Sequence, residues 1–128
     1  MPSLQLDVPG TYDPATKRRL ADGLGAVYSA IMQAPLDIVT VVVRDVGEGG
    51  VWRCGEAGAT PSALLMCDVR TGRSAEVRSE LGRALGVVCA DVLGVDPLWV
   101  KVEFTQHSGD EMYHPVLGGL NSDWTPRS

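Results

Sequence analysis

Apolar and polar residues alternate at the start of the chain, and the spacing then becomes helical. The segment from Leu4 to Val8 alternates as a strand with one buried face does. Pro9-Gly10 ends this strand, and Asp13-Pro14 suits a helix cap and first helical position. A β-branched run from Ile38 to Val43 is typical of a buried strand. The intervening apolar residues form one helical face: Leu20, Leu24, Val27, Tyr28 and Ile31.

The second half of the chain has the same order of elements. Ala63 to Val69 is predicted as a strand, Ser74 as a helix N-cap, and Gly94 as the point where that helix ends. Leu98 to Phe104 is predicted as the last long strand. The helical stripe of this half comprises Val77, Leu81, Ala84, Leu85, Val88 and Val92.

The two halves are an internal repeat. Asp7-Val8 recurs as Asp68-Val69, an offset of 61 residues, and Leu20 and Leu24 recur at the same offset. Each half reads strand, helix, strand, with repeat one at about 2–46 and repeat two at about 62–106. Two such units predict an α/β fold with a four-stranded mixed sheet and two helices on one face. The sheet's other face would need a partner, which favours oligomerisation.

The last part of the chain, residues 107–128, loses this periodicity and contains several glycines and prolines. We expect a tail that wraps a neighbouring subunit or covers a pocket.

The first strand of repeat one begins at Pro2, and the first strand of repeat two ends just before Arg70. If these two strands run antiparallel side by side, Arg70 lies near the end where Pro2 begins.

Composition limits the possible classes of protein. A length of 128 residues favours a single domain, 1–128, with 45% hydrophobic residues. The net charge of −5 argues against nucleic-acid binding, and no apolar run is long enough for a membrane span. Three cysteines without metal-ligand spacing fit a reducing cytoplasm better than a disulfide scaffold.

The second residue, Pro2, is a candidate general base. A small side chain after the initiator methionine favours removal of Met1, which would leave Pro2 with a free secondary amine. Burial and nearby cations would lower the pKa of that amine from the ordinary range of about 7.7–8.0. The alternative is that the chain begins Met-Pro only because the start site tolerates it.

Arg70 and Arg73 bracket a predicted turn that contains Gly72, between a strand and a helix. Two guanidinium groups near a helix N-terminus can bind a carboxylate and lower the pKa of a nearby amine. The alternative is that they pair with surface acids such as Asp68 or Glu76.

These features together resemble the tautomerase superfamily. They are Met-Pro at the start, the doubled unit of about 60 residues, and Arg-Thr-Gly-Arg-Ser-Ala-Glu at 70–76. The chain most resembles the cis-3-chloroacrylic acid dehalogenase-like subgroup, over most of residues 2–106. The resemblance implies that Pro2 is the general base or acid and that Arg70 and Arg73 bind the substrate carboxylate. It also implies a homotrimer that needs no cofactor.

The resemblance suggests further site residues. Where the dehalogenases have a substrate-binding histidine on the first helix, this chain has Tyr28, which is otherwise a core aromatic of the helix stripe. The nearest candidates for the dehalogenase tyrosine and water-activating glutamate of the C-terminal region are Tyr113 and Asp123. These departures from the subgroup favour tautomerisation over dehalogenation.

A metal site is a competing interpretation of the tail. His107, Glu111 and His114 would face one way on a helix and could hold a metal ion. The segment Ser108-Gly109-Asp110 is a poor helix former, and Pro115 follows directly, so we expect no metal here.

The sequence therefore predicts a tautomerase that acts on enol or 2-oxo carboxylic acids. The first alternative is a cofactor-free dehalogenase or hydratase of 3-haloacrylate-like acids. The second is a non-catalytic module with a ferredoxin-like fold that binds a small molecule, because fold alone does not determine function. We expect no nucleic-acid or membrane partner.

Overall fold

The computed structural model of the protein describes residues 1–119, which form two α-helices, three short 3-10 helices and eight strands. The α-helices are α1 Pro14–Met32 and α2 Ala75–Leu93. The strands are β1 Ser3–Val8, β2 Thr40–Asp45, β3 Trp52–Arg53, β4 Thr60–Pro61, β5 Ala63–Arg70, β6 Val100–His107, β7 Tyr113–His114 and β8 Gly118–Gly119. Neither helix in this part of the chain is long and apolar enough to span a membrane.

Both helices begin as the sequence predicts, and the second also ends where it predicts. The Asp13 carboxylate accepts a hydrogen bond from the Thr16 backbone N–H at 2.8 Å, and Ser74 Oγ accepts one from Val77 at 3.2 Å. These side chains satisfy backbone donors that the first helical turn leaves without partners. Helix α2 ends at Gly94 in the left-handed conformation, and α1 ends in the same conformation at Gln33.

The main sheet has four strands in the order β2-β1-β5-β6. Strands β1 and β2 are parallel, as are β5 and β6, whereas β1 and β5 are antiparallel. The predicted mixed sheet is confirmed, and so is the antiparallel arrangement of the two strands that begin each half. Because Ser3 pairs with Asp68, the N-terminus lies at the end of β5 where Arg70 is found.

The core lies between one face of this sheet and the two helices. Alternate residues of β1 and β5 are fully buried there, together with leucines from both helices. The fully buried side chains include Leu4, Leu6, Val8, Leu20, Leu24, Leu65, Val69, Leu81 and Leu85. Residues of the opposite face are partly exposed, and Arg44 Nε donates to the Asp7 carboxylate there at 2.7 Å.

Two strands begin later than the sequence predicts. Thr40 rather than Ile38 begins β2, and Val100 rather than Leu98 begins β6, which continues to His107. In both cases a 3-10 turn precedes the strand, at Leu36–Ile38 and at Pro97–Trp99. Pro35 directly precedes the first turn and Pro97 begins the second, where the fixed φ of proline suits the first position of a helical turn.

Candidate active site

One cavity of about 860 Å³ lies where the start of β1, the end of α1 and the loop before α2 meet. Pro2, Tyr28, Arg70 and Arg73 all line it. The structure therefore brings four of the six predicted site residues to the same place. Apolar side chains complete much of its wall: Ile31, Met32, Ile38, Val77 and Leu117.

The N-terminus is fixed at this cavity by backbone pairing. The Pro2 carbonyl accepts a hydrogen bond from the Thr40 N–H at 3.2 Å, and Pro2 itself is buried. The Met1 amine donates to the Met112 sulfur at 3.2 Å. Burial lowers the pKa of this amine below its ordinary value of 8.0, and the charges of Arg70 and Arg73 lower it further.

The two arginines reach the cavity from the end of β5 and the turn that follows it. Gly72 separates them with φ 122°, a conformation that favours glycine. Arg73 Nη2 donates to the Met32 carbonyl at the end of α1, at 2.6 Å, so the side chain bridges the two halves of the chain. Burial lowers the pKa of the Arg73 guanidinium, but an arginine remains charged in proteins.

Asp68, one of the acids proposed as an alternative partner of these arginines, has several other polar neighbours. It accepts a hydrogen bond from the Gln5 side chain at 3.4 Å and another from Thr105. The His107 ring also lies 3.4 Å from its carboxylate.

Tyr28 lies on the cavity side of α1 and is only 3% exposed. Burial raises the pKa of its phenol to about 12, against the opposing effect of the Arg73 and Arg70 charges. The phenol is therefore neutral near pH 7 and can donate one hydrogen bond. The residue packs in the core and borders the cavity, so its two alternative roles are compatible.

The arrangement of strands and helices is shared with solved structures of known proteins. A member of the cis-3-chloroacrylic acid dehalogenase family aligns over 97% of this chain and 85% of its own, with a TM-score of 0.80 and 24% identity. A fused 4-OT symmetric trimer aligns over 94% of this chain and 95% of its own, with a TM-score of 0.79 and 27% identity. The macrophage migration inhibitory factor of Toxoplasma gondii aligns over 89% of this chain and 96% of its own, with a TM-score of 0.72 and 19% identity.

The chain has the fold of the tautomerase superfamily. The recognition of this superfamily from Pro2, the repeat and the segment 70–76 is therefore confirmed. No family model and no curated protein matches the sequence.

One predicted site residue within residues 1–119 does not line the cavity that this tautomerase fold forms. Tyr113 lies in β7, is 68% exposed and is not among the lining residues. Asp123 falls outside the described residues. Catalytic roles for Tyr113 and Asp123 stay predictions.

Other residues of the tail border the cavity of this tautomerase fold. Leu117 and Gly118 line it, and Met112 contacts the N-terminal amine. The described part of the tail thus covers part of the pocket, one of the two arrangements that the sequence predicts.

The histidines of the tail are not arranged as a metal site. His107 ends β6, and its Nδ1 lies 3.5 Å from Glu111, whereas His114 lies in β7 and accepts hydrogen bonds from Val116 and Leu117. The helix that would have aligned these side chains does not form. No group of three metal-ligating side chains occurs within residues 1–119.

Sequence reasoning missed two features of the site. One is the Met32 carbonyl that holds Arg73, because a backbone acceptor leaves no sequence signal. The other is Gln33, which lines the cavity and adopts a left-handed conformation. The sequence does contain a signal for the conformation of Gln33, since the repeat offset of 61 makes its position equivalent to that of Gly94.

Proposed function

We propose that the protein is a tautomerase that moves a proton in enol or 2-oxo carboxylic acids. The observation that carries this proposal is the presence of an N-terminal amine, two arginines and a neutral tyrosine around one cavity. This combination supplies a titratable base, an anion site and a hydrogen-bond donor. Proton transfer between oxygen and carbon needs no metal or organic cofactor.

The base in this proposal is the nitrogen of Pro2 after Met1 has been removed. The burial and the two cations that lower the pKa of the Met1 amine would act on the Pro2 amine as well. A larger fraction of the amine would then be neutral at pH 7 and able to accept a proton.

The proposed reaction starts from a 2-hydroxy-2-alkenoate. The neutral Pro2 nitrogen removes the hydroxyl proton, and the O–H bonding electrons form the 2-carbonyl. The electron pair of the carbon–carbon double bond moves to carbon 3, which takes the proton back from the Pro2 cation. The product is the 2-oxo acid, and Pro2 returns to its neutral form.

Arg70 and Arg73 would bind the substrate carboxylate and stabilise negative charge on the 2-oxygen as the proton moves. The Met32 carbonyl uses one donor of Arg73. A guanidinium has five N–H donors in a planar fork, a geometry that matches a carboxylate. Tyr28 would donate one hydrogen bond to the substrate.

A cofactor-free dehalogenase or hydratase is the second candidate, favoured by the structural similarity to the dehalogenase family member. In that reaction a cationic Pro2 would protonate carbon while another residue activates water. Tyr113 and Asp123 are the proposed aids for the water, and Tyr113 is not among the residues that line the cavity. The cavity therefore supports tautomerisation better.

The pH dependence of kcat/KM for phenylenolpyruvate tests the proposal. A neutral amine is required, so kcat/KM should rise about tenfold per pH unit below the amine pKa and level off above it. Because burial and the two arginines lower the pKa of an amine at this position, the midpoint should lie below that of an exposed terminal proline. A profile that instead falls as the amine loses its proton, measured with a 3-haloacrylate as the active substrate, would favour the second candidate.

We also propose that the protein is a homotrimer in the cytoplasm. Fused 4-OT proteins with this fold form symmetric and asymmetric trimers. The sheet face opposite the helices, which includes Gln5, Asp7 and Arg44 and is not covered by a helix within residues 1–119, would make the subunit contacts. The substrate would be a small carboxylic acid, with no nucleic-acid or membrane partner.

A further inference from the structure

The end of α1 has an unusual residue in a conformation that ordinarily favours glycine. Gln33 has φ 51° and ψ 50°, and it is the one residue other than glycine with a positive φ within residues 1–119. Left-handed backbone brings Cβ close to the carbonyl oxygen, so a glutamine is strained there and a glycine is not.

The second repeat shows the ordinary solution at the same position. Gly94, 61 residues further on, ends α2 with φ 72°. The two backbones make equivalent hydrogen bonds, from Gln33 N–H to the Ser29 carbonyl and from Gly94 N–H to the Ala90 carbonyl. The turn itself therefore does not require a side chain.

Neither packing nor hydrogen bonding within residues 1–119 accounts for the glutamine. Its side chain is exposed rather than in the core, and its amide makes no hydrogen bond with another described residue. Strain at a residue that packing does not explain is often found where the residue serves a function.

The two helix ends differ in their surroundings, because only the end of α1 borders the cavity. Gln33 lines it, and Gly94 is not among its lining residues. The nearby polar side chains of Ser29 and Ser74 already bond the Ala34 carbonyl and the Val77 N–H. The Gln33 amide, which has both a donor and an acceptor, is therefore available to a ligand.

We infer that Gln33 determines specificity by forming a hydrogen bond with a neutral polar group, a hydroxyl or carbonyl, on the substrate beyond its carboxylate. The carboxylate itself would bind the cations Arg70 and Arg73, whereas the exposed Gln33 lies at the cavity rim, where the substrate body emerges. This inference rests on the proposed function, because it assumes that an organic acid binds beside the arginines.

The test is a binding comparison of two unreactive acids, 3-phenylpropanoate and 3-(4-hydroxyphenyl)propanoate, by titration calorimetry on the full chain. The native protein should bind the hydroxylated acid about threefold to tenfold more tightly, as expected for one hydrogen bond. Gln33→Gly should abolish this preference. Its melting temperature should not fall, since glycine relieves the left-handed strain.

The matched control is Gly94→Gln, which places the same residue at the equivalent helix end away from the cavity. A Cβ at position 94 has no atom within 4 Å, so the variant can fold. It should melt at a lower temperature and keep the preference for the hydroxylated acid. A native protein without a preference, a Gln33→Gly variant that keeps it, or an equal loss in both variants would overturn the inference. Turnover of phenylenolpyruvate by the native protein, measured separately, tests the proposed function.

Discussion

Arg73 connects the two repeats at the level of a single side chain. Its guanidinium donates to the Met32 carbonyl of the first repeat, and its own backbone belongs to the turn of the second repeat. A planar fork can make this bond and still offer parallel donors to a carboxylate. A lysine supplies one compact charge and cannot do both in the same geometry.

We therefore expect Arg73→Lys to lower kcat/KM for an enol acid by about tenfold to a hundredfold, the range expected for a lost hydrogen bond to a charged group. Steady-state kinetics on phenylenolpyruvate would measure this. Arg18→Lys, on the exposed side of α1, is the control and should have no effect. Equal kcat/KM for the native protein and Arg73→Lys would contradict a carboxylate-binding role.

At the scale of the element, the N-terminal cap of helix α1 stabilises the helix that carries Tyr28 and ends at the cavity. Asp13 accepts the hydrogen bond from Thr16 at 2.8 Å, and this contact lowers the pKa of its carboxyl. Asp13→Ala removes the cap and should reduce the free energy of unfolding. Urea denaturation would measure the change.

Glu80→Ala in α2 is the control for that substitution, because Glu80 is an exposed acid in the interior of a helix. It removes the same charge without removing a cap. A loss of stability that is equal in the two variants would show that the Asp13 contact is not the cause.

At the scale of the whole molecule, one face of the sheet is open over residues 1–119. The proposed trimer would cover part of it. Light scattering at micromolar concentration should give a mass about three times the 13.6 kDa of one chain. A mass equal to one chain under these conditions would contradict the proposed assembly.

The repeat in the sequence contained most of the information about the fold. The match of Asp7-Val8 to Asp68-Val69 predicts two equivalent units, and their antiparallel pairing through β1 and β5, which the sequence offers only as a condition, places Pro2 near Arg70. The 3-10 turns that delay β2 and β6 were not predicted, because their apolar residues continue the strand pattern. The bond from Arg73 to the Met32 carbonyl was also beyond prediction, since it depends on tertiary packing and on a backbone acceptor.

The central claim is that the Pro2 nitrogen is the base, and it is a base only as a free amine. The most direct test compares phenylenolpyruvate turnover by two preparations whose termini are established by intact mass: one that begins at Pro2 and one with an added residue before Pro2. The account predicts turnover by the first and none by the second, whose nitrogen is an amide. Equal turnover by both would contradict it.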